Sequence, residues 1–148
     1  MKLPRYEYVA ENEAEVFKFT SEGTKGSIKK LVLYSQMLPN DVYNLAFGDY
    51  DEETGLLNDT VITNNKDSQK VLATVASTLY VFTDKHPHVW VYATGSTPAR
   101  TRLYQMGISK FLDEILNDFE VYGLIEETWQ AFEKRKAYEA FLVKRKSS

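Results

Sequence analysis

The stretch Val89-Trp90-Val91-Tyr92-Ala93-Thr94-Gly95-Ser96-Thr97-Pro98-Ala99-Arg100-Thr101-Arg102-Leu103-Tyr104 decides how this chain folds. Its first five residues form a nearly continuous apolar run, which predicts a strand in the middle of a sheet. Gly95 and Ser96 then break the strand. Thr97 suits a helix N-cap and Pro98 the first helical position, where its missing N–H costs nothing. The helix that follows runs to about Leu116, with Tyr104, Ile108, Phe111, Leu112 and Ile115 on one face. Gly107 weakens its continuity.

Upstream of this stretch the pattern is that of strands. Tyr6–Val9 and Glu15–Phe19 are short β-prone pieces, and residues 21–26 form a turn with two glycines. Ser27–Met37 alternates, with Ile28, Lys30, Val32 and Tyr34 on one face and Lys29, Leu31 and Leu33 on the other. A turn over Leu38–Asp41 leads to a strand from Val42 to Phe47, an acidic loop from Gly48 to Gly55, and a short strand from Asp59 to Thr63. The connections are too short for helical crossovers, so this part reads as an antiparallel meander. Asn65 or Asp67 can cap the next helix, whose Val71, Leu72, Val75, Leu79 and Phe82 make one apolar stripe up to the stop at His86-Pro87.

Downstream, Phe119–Ile125 alternates as a strand, residues 129–136 fit helix or strand, and Tyr138–Lys144 reads as a last strand or, with the rest of residues 129–146, as one C-terminal helix. The expected fold is α+β in one domain over 148 residues: a largely antiparallel sheet, in the order ββββαβαββ, with two helices packed on one face.

Composition excludes several functions. An apolar fraction of 43% and an aromatic fraction of 14% suffice for a packed core. The absence of cysteine removes disulfides, thiolate zinc sites and cysteine nucleophiles, and fits a reducing cytoplasm. The N-terminal residues lack the apolar core of a signal peptide, and no apolar run approaches the roughly 20 residues that span a bilayer. The expectation is a cytoplasmic protein away from membranes. The net charge of −3 gives no global basic field, so any nucleic-acid contact must use a local patch. Charge is uneven: residues 1–66 hold seven Lys/Arg against eleven Asp/Glu, and residues 119–148 six against five. The basic runs Lys134-Arg135-Lys136 and Lys144-Arg145-Lys146 flank the last element.

The strand-to-helix segment Gly95–Tyr104 is the main candidate site. A helix start presents free N–H groups and the positive end of the macrodipole, both suited to an anion. Capping accounts for Ser96, Thr97 and Pro98. It does not account for Arg100 and Arg102, because the macrodipole disfavours cations in the first turns. Guanidinium forks grip phosphate bidentately, so Ser96, Thr97, Arg100 and Arg102 are candidate binding residues, with Lys29 on the meander as a further cation. The alternative is that the arginines pair with Asp49, Asp51 or Glu52. Neither a Walker loop nor a dinucleotide fingerprint is present, and no cofactor is implied.

Other features are weaker. Tyr104, His86 and His88 are candidate proton-transfer groups. His86 and His88 lack a third ligand, so no metal site is expected. The acidic loop reads as an ordinary hairpin turn. Lys25, Lys29, Tyr34, Tyr43 and Tyr50 place cations and rings on or beside the meander, a combination that can stack bases of a single strand.

Asn44-Leu45-Ala46-Phe47-Gly48-Asp49, Asn64-Asn65 followed by Lys70–Val75, Gly95-Ser96-Thr97 with Arg100, Arg102, Leu103 and Tyr104, and Tyr138–Val143 form a set of phrases across nearly the whole chain. Together the phrases resemble those of a family of short, functionally uncharacterised bacterial proteins, frequent in Bacteroidetes. The resemblance implies an α+β domain and brings no activity or catalytic residues. The strand order is also similar to that of the single-strand-binding PUR/Whirly type of sheet, which is an analogy of fold alone. Three functions fit: a module binding single-stranded nucleic acid or another phosphate-bearing ligand; a small ribonuclease- or phosphodiesterase-like enzyme of toxin type; and a non-catalytic domain that binds a protein partner.

Overall fold

The computed structural model describes residues 4–37, 41–58, 64–95 and 97–146. The strands are β1 (Val9–Glu11), β2 (Val16–Gly23), β3 (Gly26–Gln36), β4 (Val42–Asp51), β5 (Leu56–Leu57), β6 (Trp90–Ala93), β7 (Phe119–Ile125), β8 (Thr128–Ala131) and β9 (Ala140–Arg145). The helices are α1 (Ser68–Lys85), α2 (Pro98–Lys110) and α3 (Leu112–Asp118). The hydrogen-bonded strand order is β1-β2-β3-β4-β6-β9-β7-β8, with β5 on β4. All of the pairings described are antiparallel except β4–β6. The class is α+β as expected, with nine strands and three helices among the described residues in place of the seven or so strands and two helices read from sequence.

The chain forms two compact units, Met1–Tyr34 with Ala46–Lys85, and Ser35–Leu45 with His86–Ser148. In the first, β2 and β3 form a hairpin from Val16↔Leu33 to Gly23↔Gly26, closed by Thr24-Lys25 and by Gly26 at φ +88°. The turn is shorter than predicted because Ser21, Glu22 and Gly23 stay paired. The face carrying Phe17, Val32 and Tyr34 is buried. It packs on α1: the Tyr34 ring stacks on Phe82 at 4.1 Å, and its hydroxyl shares a hydrogen bond with Thr78 Oγ1 at 3.0 Å. The α1 stripe of Val71, Leu72, Val75, Leu79 and Phe82 is buried, as its spacing predicts.

The acidic loop is shorter than predicted. Gly48–Asp51 continue β4, and only Glu52–Gly55 turn. Asp49 thereby lies on a strand, where its carboxylate meets the buried Lys30 Nζ at 2.6 Å. The strand expected at Asp59–Thr63 and most of the turn at Leu38–Asp41 lie outside the described residues.

A second polar cluster ties the start of α1 to the β2–β3 hairpin. Asn65, 1% exposed, accepts the Lys25 N–H at 2.6 Å and donates to Gly26 O at 2.8 Å and Ser21 Oγ at 3.1 Å. The Asp67 carboxylate accepts the hydroxyls of Tyr6, at 2.5 Å, and of Ser21. Burial, then the hydrogen bond to Asp67, raise the Tyr6 phenol above its ordinary value. A raised pKa in the fold means the neutral phenol is favoured there. Its stabilising effect is complete below the unfolded value near 10 and is lost as pH climbs through the higher folded value. Alkaline unfolding, followed by circular dichroism from about pH 8 to 11.5, should therefore be less steep in Tyr6→Phe than in the parent.

In the second unit β6 is central, between β4 (parallel, Val42↔Trp90 to Asn44↔Tyr92) and β9 (antiparallel, Trp90↔Lys144 to Ala93↔Phe141). β7 and β8 continue the sheet from β9. The predicted single helix is two. It breaks at Phe111, whose N–H still reaches Gly107 O but whose φ of −109° and ψ of 18° turn the chain, so that Phe111, Leu112 and Ile115 are all buried. The segment 129–146, open from sequence between helix and strand, resolves into β8, a turn and the last strand β9, and not into one helix. Among the described residues no helix is long and apolar enough to cross a membrane.

Candidate functional site

The strand-to-helix segment is built as its residue types require. Thr97, extended at φ −137° and ψ 159°, accepts the Arg100 N–H on Oγ1 at 3.2 Å, and Pro98 opens α2. Thr101 Oγ1 turns back to accept the Gly95 N–H at 3.0 Å and donates to Thr97 O at 3.3 Å. Gly95 is needed for contact: a Cβ there would stand 2.4 Å from both Arg100 Cβ and Thr101 N. The helix start therefore sits directly on the chain that leaves β6.

Beside it opens a groove of about 770 Å³, walled by Thr97, Arg102 and Gln105 from the α2 side and by Arg135, Lys136 and Tyr138 from the segment between β8 and β9. Gln105 holds the two walls together. Its Nε2 donates to Lys136 O, and its Oε1 accepts the Tyr138 N–H at 3.2 Å. Tyr138 is buried, its ring so close over Gly123 that a Cβ there would meet Cδ1 at 2.2 Å, and its hydroxyl accepts the Glu133 N–H at 2.8 Å. Arg135 is held at φ +74°.

Three cations thus converge on one groove from segments about 30 residues apart in sequence. Lys136 is engaged by Glu133 at 2.7 Å, and that hydrogen bond and charge raise its pKa. Arg102 and Arg135 are exposed, and neither has an ion-pair partner among the described residues. The groove also holds one carboxylate, Glu139, whose Oε2 accepts the Glu126 N–H at 2.7 Å.

The residues named from sequence divide sharply by position. Thr97 and Arg102 line the groove, whereas Arg100 is half-buried with its Cβ over Gly95 and is not part of the lining. Ser96 lies outside the described residues. Tyr104 is buried, and its hydroxyl donates to Leu45 O at 3.2 Å. His86, half-buried with its ring 5.6 Å from that of Tyr43, and exposed His88 precede β6, while the groove follows it. The strand between spans about 10 Å at roughly 3.3 Å per residue. Lys29 belongs to the other unit and pairs with Glu52, which raises its pKa by hydrogen bond and charge. Asp49 and Glu52, offered from sequence as partners for the arginines, bind Lys30 and Lys29.

The ring-and-cation surface expected on the meander does not form as read. Tyr34 is buried to 1% exposure, because its strand face is the one that α1 covers. Among the described residues no three of His, Asp and Glu cluster in a way that could hold a metal.

The basic run Lys134-Arg135-Lys136 stands out in the sequence, but nothing in its spacing joins it to the helix start. The join is long-range, made by Gln105, whose residue type gives no signal.

Over residues 2–146 the chain matches the family of unknown function DUF6934. The chain belongs to that family. The expected membership of a functionally uncharacterised family is thereby met, since DUF6934 is a family of unknown function that spans nearly the whole chain. No curated protein and no solved structure matches the chain. DUF6934 membership therefore carries no chemistry of its own, and the function must be argued from the groove.

Proposed function

We propose that the chain is a binding module for a phosphate-bearing ligand, seated in the groove between α2 and the β8–β9 segment. The observation that carries this reading is the convergence of Arg102, Arg135 and Lys136 on the start of α2. Two guanidinium groups without carboxylate partners among the described residues cost little desolvation to recruit and offer planar, bidentate donors. The positive end of the α2 macrodipole adds to the same field. Binding is favoured over phosphodiesterase chemistry by the placement of the proton-transfer candidates. Tyr104 gives its hydroxyl to Leu45 O, and the two histidines stand at the opposite end of β6.

The test is calorimetric titration with tripolyphosphate at low salt. The parent should bind, and its affinity should fall steeply as salt rises. Arg102→Ala with Arg135→Ala should weaken binding by at least about tenfold, since a hydrogen bond to a charged group contributes about 1.5–3 kcal/mol. Arg100→Ala, outside the groove, should change affinity by less than about threefold. Equal binding by the parent and the double variant would overturn the reading.

A further inference from the structure

The second unit carries a surface that the groove does not use. In β6, β7 and β9 buried residues alternate with half-exposed ones. Val91, Val121, Phe141 and Val143 are buried, while Trp90, Tyr92, Tyr122 and Lys144 between them remain partly exposed. The register sets the second group on one side of the sheet. Trp90 faces Lys144, Tyr92 faces Leu142, Leu142 faces Tyr122, and Leu124 faces Trp129. The second side is the more exposed of the two.

Four aromatic rings stand on this side. Trp90 and Tyr122 lie 5.9 Å apart by ring centroid, and Tyr92 and Trp129 lie 6.2 Å apart. Lys144 Nζ is 5.2 Å from the Trp90 centroid. Trp129 is 40% exposed. Rings grouped this way are ordinarily buried, because each carries a large apolar area. Left partly open on a sheet, with a cation over one of them, they match the π-faces of nucleobases. The face itself also carries Glu120, the register partner of Lys144 on β7, whose carboxylate accepts the Tyr122 hydroxyl at 2.9 Å, so the cations for a polyanion are those of the neighbouring groove. Trp90, Tyr92 and Thr94 are two residues apart along one chain, and Thr94 is in the wall of the cationic groove. The row of rings therefore ends where Arg102 and Arg135 begin.

We infer that this face stacks the bases of a single-stranded nucleic acid whose backbone enters the groove. The inference rests on the phosphate-binding reading of the groove and names its ligand. A single strand is the occupant because its bases are unpaired and can lie on the rings, while its phosphates satisfy the neighbouring cations.

The chain's two tryptophans are Trp90 and Trp129, both on this face, so intrinsic fluorescence reports on it directly. Full-length protein is titrated with a ten-nucleotide oligothymidine, with an abasic oligomer of the same length, and with tripolyphosphate. The oligothymidine should quench tryptophan emission and bind at least about tenfold more tightly than the abasic strand, the effect of losing one stacked base. Trp129→Ala should lose that advantage, Trp129→Phe should keep most of it, and neither should alter tripolyphosphate affinity. Circular dichroism confirms that each variant is folded.

Equal affinity for base-bearing and abasic strands, or an unchanged oligothymidine affinity in Trp129→Ala, overturns the inference. Self-association abolished by Trp129→Ala, without oligonucleotide quenching, assigns the face to a second copy of the chain and also overturns it. The groove is judged separately, by the loss of tripolyphosphate binding in Arg102→Ala with Arg135→Ala.

Discussion

Lys30→Ala should lower unfolding free energy by about 3–5 kcal/mol, the usual effect of removing one partner of a buried ion pair. The Lys30 side chain is 2% exposed and that of Asp49 14%, and their 2.6 Å contact lies beside a core that includes Phe19, the register partner of Lys30 on β2. Truncation removes the ammonium that pairs with the Asp49 carboxylate and leaves a void where the aliphatic stem stood. Lys30→Met tests which term dominates. It refills most of the void but leaves Asp49 without the ammonium, so it should recover little. Lys30→Met with Asp49→Leu, which removes both charges, should return close to the parent, because such pairs can be replaced by apolar groups at little cost. Urea denaturation at neutral pH measures all three. Recovery by Lys30→Met alone would show that packing, and not charge, holds this part of the strand pair.

The alternation that places Lys30 inward is legible in the residues themselves. Ile28, Lys30, Val32 and Tyr34 share a face by period, and that face is the one α1 covers. What alternation alone does not reveal is that a lysine is retained there. The reason is Asp49, nineteen residues on, whose neighbours read as a loop. Gly48, Asp49 and Asp51 are turn-forming types, but pairing across β4 overrides their local preference. The division of α2 from α3 escapes the pattern for a similar reason. Tyr104, Phe111, Leu112 and Ile115 fit one stripe, yet a straight helix is not the arrangement that buries them. The chain bends at Phe111 instead.

The site is legible in one half. Local chemistry identifies the turn at Gly95, the cap at Thr97 and the out-of-place arginines, because capping rules act over three or four residues. The other half cannot be read that way. Arg135 and Lys136 arrive through the antiparallel pairing of β7, β8 and β9, and Gln105 fixes them by bonding two backbone groups. Long-range pairing has no local signature, so a basic run near the end of the chain looks like a solvated tail. The open aromatic face is hidden by the opposite difficulty. Val89–Ala93 is so uniformly apolar that its two faces look alike, and only the register separates Val91, buried, from Trp90 and Tyr92, half-exposed.

Gly95→Val should be the most damaging single change at the groove, with a stability loss of about 3 kcal/mol, at the upper end for overpacking. The reason is the identity of the atoms it would meet. A Cβ would lie 2.4 Å from Thr101 N and 2.6 Å from Arg100 C, which are helix backbone and cannot swing aside as a flexible side chain can. To accommodate it, α2 must move away from β6. That movement breaks the bond from the Gly95 N–H to Thr101 Oγ1 and shifts Arg102 relative to Arg135. Tripolyphosphate affinity should then fall by at least about tenfold even with every cation still present, because paired contacts need their spacing as well as their charge. Gly95→Ala should show the same effects at lower amplitude. Thermal melts combined with calorimetric titration separate the two consequences. A Gly95→Val variant that melts lower but binds as tightly as the parent would mean that the α2 start serves stability alone, and that the anion is held by the β8–β9 segment without it.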